Sequence, residues 1–116
     1  MEINENRVST FLRQFGMPCS MLGFVYAKEA IMLIATSEEY RTITKTLYPA
    51  VAIKYNTTCS RVERAMRHSI AKAFSNAKVK AIEEAFGNGY SHERGVPTNK
   101  EFLYGAVEYL RGCKEV

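Results

Sequence analysis

Arg61, Glu63, Arg64, Arg67 and His68 crowd one short stretch, and their types and spacing suit a definite chemistry. At about 100° per residue on a helix, Ser60, Arg61, Glu63, Arg64, Arg67, His68 and Ala71 fall on one side. Val62, Ala65, Met66, Ser69 and Ala73 fall on the other, with Ile70 at its margin. A guanidinium is a planar fork that can hold guanine O6 and N7, and a carboxylate can accept from cytosine N4. Arg and His further along such a helix can reach phosphates and fix the docking register. This is the chemistry of reading base edges in a DNA groove. The competing reading is a solvated charged face, which most surface helices have. From Ser60 to Ala71 the face carries arginine and no lysine, and a tight turn lies just upstream; both favour readout.

That face needs a helix held at a fixed angle, and the preceding residues can supply one. Tyr48 to Tyr55 reads as a short helix, with Val51 and Tyr55 facing inward. Ala52 sits where the next helix must pass close by. Asn56 follows at the turn, and Asn tolerates the left-handed backbone better than most residues with a side chain. Thr57 and Thr58 offer an N-cap hydroxyl before helical spacing resumes at Val62, Ala65, Met66 and Ile70. The pattern is a helix-turn-helix, with the charged helix over about 58–74 as its recognition helix.

The remaining elements are also helical. Val8, Phe11, Leu12 and Phe15 give a first helix over about Asn4 to Phe15, ended by Gly16 and Pro18. Leu22, Val25, Tyr26, Ala30, Ile31 and Ile34 give a second, from about Met21 to Ala35, apolar enough to be central and mostly buried. Thr36-Ser37-Glu38-Glu39 is a polar link. Ile43, Leu47, Val51 and Tyr55 continue helically, with Pro49 either kinking that helix or starting its second part. Ser75-Asn76-Ala77 interrupts the pattern. Val79, Ile82, Ala85 and Phe86 suggest a short helix closed by Gly87-Asn88-Gly89, and Tyr90 to Val96 reads as an exposed loop. A last amphipathic helix carries Phe102, Leu103, Ala106, Val107 and Leu110. Thr98-x-x-Glu101 has capping-box spacing, although Asn99 could serve as the cap instead. No stretch alternates as a strand would, so the expected fold is all-α, with about six helices containing the helix-turn-helix.

Composition narrows the function classes. The 116 residues suit a single domain over 1–116. With 47% hydrophobic and 24% charged residues it should be globular. The formal charge of +4 permits a nucleic-acid partner without requiring one. Cys19, Cys59 and Cys113 are odd in number, widely separated and in no CxxC arrangement, which suits reduced thiols and makes the cytoplasm the expected compartment. No signal peptide opens the chain and no apolar run approaches membrane-spanning length. An enzyme is not expected: Cys59 and His68 are the only neighbouring nucleophile–base pair, with nothing to orient the imidazole. His92 lies in the polar loop, and two histidines with three scattered thiols make no metal constellation. Met17, Met21, Met32 and Met66, with seven Tyr and six Phe, read as core filler, so no small-molecule cofactor is expected.

Several blocks in order resemble a known family. They are Phe15-Gly16-Met17-Pro18, Gly23-Phe24-Val25-Tyr26-x-x-Glu29-Ala30-Ile31 and Ile43-Thr44-Lys45-x-Leu47-Tyr48-Pro49. Tyr55-Asn56-Thr57-Thr58-x-Ser60-Arg61-Val62-Glu63-Arg64-Ala65-x-Arg67-His68 and Pro97-Thr98-Asn99-x-Glu101-Phe102 follow. Together they resemble the C-terminal DNA-binding effector domain of the sporulation master response regulator (stage zero, factor A) of endospore-forming Firmicutes, over nearly the whole chain. The resemblance implies a six-helix domain that binds TGTCGAA-like promoter boxes in double-stranded DNA, with copies binding tandem sites as homodimers. It implies base contacts from Arg61, Glu63 and Arg64, and backbone contacts from Thr58, Ser60, Arg67 and His68. Thr98 and Asn99 would join them at the last helix's start, where free backbone N–H groups favour phosphate; plain capping is the alternative there. The region from about Ala73 to Phe86 would meet the sigma subunit of RNA polymerase.

The chain departs from the family at Phe74, where Trp is usual, at Asn76-Ala77, at Ala71-Lys72 and at Lys78-Val79-Lys80. The 116 residues are expected to hold no receiver domain, as an excised effector domain or a divergent stand-alone relative would, and they include no Asp. The rival function is a protein-interaction adaptor that pairs with a full-length regulator or the sigma subunit without specific DNA readout. The mixed Arg61, Glu63, Arg64 face discriminates the two, because an adaptor has no need of it.

Overall fold

In the computed structural model, residues 3–77, 79–86 and 95–112 are described, and among them the regular structure is helical throughout. The helices are α1 (Glu5–Phe15), α2 (Leu22–Thr36), α3 (Tyr48–Lys54), α4 (Cys59–Asn76), α5 (Val79–Phe86) and α6 (Asn99–Gly112). Gly87-Asn88-Gly89, residues 90–94 of the expected loop with His92, and Cys113 lie outside the described residues.

Helix α2 is the element the others pack on, touching α1, α3, α4 and α6. Its Phe24, Tyr26, Ala27, Ala30, Ile31 and Ile34 are buried, as its apolar composition demands. Leu22 departs from the expected core: it is 66% exposed, because it opens the helix before the first full turn meets a neighbour, and Val25 is only half-buried. Helix α1 ends as expected at Gly16, whose φ of 110° is left-handed. The Met17 N–H returns to the Leu12 carbonyl at 2.9 Å, and Asn76 Nδ2 on α4 donates to the Gly16 carbonyl at 2.9 Å.

Two short non-α turns lead into α3. Residues Glu38–Arg41 form a 3₁₀ turn, capped by the Ser37 hydroxyl accepting from the Glu39 N–H, where a plain link was expected. Ile43–Leu47 form a π turn. Pro49 explains it. A proline ring clashes with the carbonyl four residues back and has no N–H to give, and the wider π turn relieves both while bringing Ile43, Leu47 and Tyr48 to the interior. Pro49 therefore starts a second helix rather than kinking one.

Helices α2 and α4 cross at backbone distance. A Cβ added at Gly23 would stand 2.0 Å from Ser69 Oγ and 2.3 Å from the Ala65 carbonyl oxygen. Ser69 is fully buried there, and its hydroxyl has no hydrogen-bond partner among the described residues. Elsewhere the core is sealed by rings. Phe11, Phe15, Phe74, Phe86 and Phe102 form one connected cluster that joins α1, α4, α5 and α6, with Phe15 5.0 Å from Phe74 and 5.5 Å from Phe86. Replacing Gly23 with Ala should lower stability by roughly 1–3 kcal/mol through overpacking, read as a fall of several degrees in Tm by circular dichroism. Ser69→Ala, which removes an orphaned hydroxyl, should leave Tm unchanged or raise it. A Gly23→Ala protein melting like the parent would contradict the close crossing.

Candidate nucleic-acid interface

Helix α4 divides into two sides. Val62, Met66, Ser69, Ile70 and Ala73 are buried, and full burial of residues such as Val, Met and Ile is worth about 1.5–3 kcal/mol each. Ser60, Arg61, Arg64, Arg67, His68 and Ala71 are exposed on the opposite side, and Glu63 lies half-buried at its edge. The sequence periodicity placed this division correctly, except that Ile70 lies fully inside rather than at the margin. The helix is longer than the expected 58–74, running to Asn76: Ser75 and Asn76 remain helical because Asn76 is anchored on Gly16, and the Ala77 N–H closes on the Ala73 carbonyl at 2.8 Å.

The turn ahead of α4 fixes how it is presented. Asn56 has φ 54°, the left-handed conformation that asparagine tolerates. The Thr57 N–H then reaches back to the Ala52 carbonyl at 2.9 Å. The Thr58 hydroxyl accepts from the Arg61 N–H at 3.2 Å, making Thr58 the N-cap. Ala52 and Val51 are buried beneath this turn, and Tyr55 packs on Tyr26 of α2 with ring centroids 5.5 Å apart. Lys54 at the end of α3 bridges to Glu29 of α2 at 2.8 Å, and that carboxylate raises the lysine's pKa. The arrangement is compatible with the helix-turn-helix read from the sequence.

Two of the expected contact residues are tied to each other. Arg67 Nη1 donates to both carboxylate oxygens of Glu63, at 2.6 and 2.5 Å. This is an i,i+4 pair with the acid on the N-terminal side, the favourable order on a helix. Glu63 and Arg67 thus face outward as a neutralised pair, whereas Arg61, Arg64 and His68 project from the same side.

The start of α6 comes close behind. Glu101 and Thr98 form the capping box: the Thr98 N–H donates to Glu101 Oε1 at 3.0 Å, and the Glu101 N–H to Thr98 Oγ1 at 3.1 Å. Capping, rather than an open anion cradle, is what this helix start displays. Asn99 is not the cap: Thr98 takes it, and Asn99, rotated to the core side, is 7% exposed and points inward. Its Nδ2 donates to Tyr48 Oη at 2.9 Å and to the Glu63 carbonyl at 3.1 Å. Burial pushes the Tyr48 phenol above its ordinary pKa; the Asn99 hydrogen bond opposes that shift. The sequence offered no signal for this link, which joins residues 51 apart. Between α4 and residues 96–100 lies an open groove of about 590 Å³, lined by Ile43, Tyr48, Arg67, Val96, Pro97 and Lys100 among others.

No helix among the described residues is long and apolar enough to cross a membrane. Nor do they contain a group of three or more His, Cys, Asp or Glu side chains that could hold a metal ion. Comparison with known families is decisive. The family described as sporulation initiation factor Spo0A C terminal matches residues 8–110. The chain belongs to this family. It is accordingly a DNA-binding, transcription-regulating effector domain of a sporulation regulator, and the Spo0A C-terminal family is not one of enzymes.

The left-handed Asn56 yields a test of how the turn holds α4. Asn56→Gly should leave Tm nearly unchanged, whereas Asn56→Val should cost on the order of 1–2 kcal/mol. Equal melting of the two variants would show that the positive φ does not constrain this turn.

Proposed function

We propose that α4 is the recognition helix of this domain, entering the major groove of a TGTCGAA-like box. The observation that carries the reading is the exposed Arg61, Arg64, Arg67 and His68 face of a helix whose other side is built into the core. In this reading Arg61 and Arg64 hold guanine O6 and N7, and Glu63 accepts from a cytosine amino group. Thr58, Ser60, Arg67 and His68 lie along the groove edge and hold the sugar–phosphate backbone, with Thr98 at the flank. Glu63 and Arg67 exchange their mutual ion pair for DNA partners on docking. Paired copies on tandem boxes, and a sigma-subunit contact across the end of α4 and α5, extend the reading from the family resemblance. The ring cluster that holds α5 against α1, α4 and α6 supports a fixed surface there.

Fluorescence anisotropy at near-physiological salt, with a TGTCGAA duplex and a scrambled one, tests the proposal. A preference of at least about a thousandfold is expected. Equal and strongly salt-dependent binding to both duplexes would leave only electrostatic attraction and overturn specific readout. Absence of binding to either would favour the adaptor. Arg64→Ala should cost roughly 1–3 kcal/mol and relax preference at one base pair. Arg67→Ala should weaken binding to all sequences alike and lower the salt slope by about 1.

A further inference from the structure

We propose that Asn99 is a positioning residue for sequence readout, acting from behind α4 by holding the Glu63 peptide and the Tyr48 phenol at a fixed separation. The inference rests on the recognition-helix reading above and adds a residue that never touches DNA. Thr98 and Glu101 make the capping box at the start of α6, so the Asn99 side chain has no capping duty. Its amide nitrogen carries two hydrogens in a rigid plane. Each has a partner: Tyr48 Oη at 2.9 Å and the Glu63 carbonyl at 3.1 Å. Tyr48 opens α3, and Glu63 lies in the second turn of α4. One planar group therefore spans both helices of the unit, from a third helix that contributes nothing to their turn.

The site of attachment matters for function. The Glu63 peptide lies between Arg61 and Arg64, and the Glu63 carboxylate points forward onto Arg67. A carbonyl oxygen has a second lone pair beyond its helical hydrogen bond, so Asn99 can hold this turn of α4 without unwinding it. Tyr48 is nearly as buried as Asn99, and loss of one partner strands the other. Removing the peg should let α4 roll against α3. Base-edge contacts depend on angle and suffer; attraction between exposed guanidiniums and phosphates hardly depends on it and persists.

Asn99→Leu keeps the side chain's shape without adding charge and removes both donors. Tyr48→Phe removes only the α3 arm. The parent and both variants are titrated into the TGTCGAA and scrambled duplexes at two salt concentrations, at a temperature where circular dichroism shows each folded. Asn99→Leu should lose about tenfold in preference, equivalent to about 1.4 kcal/mol, with affinity for the scrambled duplex and the salt slope unchanged. Tyr48→Phe should lose a smaller part of the preference in the same pattern. Full preference in folded Asn99→Leu would reduce the residue to packing and overturn the proposal. Equal weakening on both duplexes with a shallower salt slope would make Asn99 a direct phosphate contact and overturn it too. If Asn99→Leu does not fold, undiminished preference in Tyr48→Phe overturns it. A parent without any preference defeats the recognition-helix reading itself, and the positioning role with it.

Discussion

Helix α4 must be fastened along one side and bare along the other, and most of the architecture follows from that demand. Val62, Met66, Ile70 and Ala73 supply the fastening, and each neighbouring element meets them differently. Helix α2 crosses at backbone distance, α3 lies ahead across a capped turn, and α6 reaches in from behind through Asn99. Nothing packs over Arg61, Arg64 and His68 among the described residues, which stay exposed. The hydrophobic term is non-directional and would tolerate a range of helix angles. Hydrogen bonds at Asn56-Thr57-Thr58 and at Asn99 are directional and supply what that term lacks.

The helices were legible because each buries a stripe at helical spacing, and the two sides of α4 could be assigned from Val62, Met66 and Ser69 against Arg61, Arg64 and His68. The Thr98–Glu101 box and the turn at Asn56 were legible for a different reason: both depend on local side-chain chemistry over three or four residues. Misreadings occur where distant contacts decide. Asn76 stays helical because Gly16, sixty residues earlier in the chain, accepts its hydrogen bond. Leu22 is apolar but lies at a helix start with no neighbour to cover it. The Ile43–Leu47 π turn comes from steric conflict with Pro49, which hydrophobic spacing does not register. On the exposed side of α4 the charged residues were legible by type, and the i,i+4 spacing of Glu63 and Arg67 would have revealed their pairing. The inward turn of Asn99 was hidden because cap and first helical residue are adjacent in sequence yet face different ways.

The ring cluster shows how one side chain is held by several neighbours. Phe74 contacts Phe15, Phe86 and Phe102, in edge-on and tilted arrangements that suit aromatic quadrupoles. Rings from four helices meet there, so a change of ring at one position is shared among several neighbours. Helix α6 carries a residue of the cluster and a residue of the Tyr48–Asn99 link, Phe102 and Asn99. This one helix therefore ties the seat of α5 to the back of α4.

The crossing of α2 over α4 has a consequence for sequence variation. Gly23 is confronted by two different obstacles, the Ser69 hydroxyl and the Ala65 carbonyl oxygen. The first belongs to a side chain and could vanish by substitution; the second is main chain and is present whatever residue stands at 65. No exchange at 69 can therefore compensate for a side chain at 23, and the two positions are not free to covary. Position 23 is fixed by the backbone of its neighbour, and a glycine there is a permanent condition of having α4 at this depth.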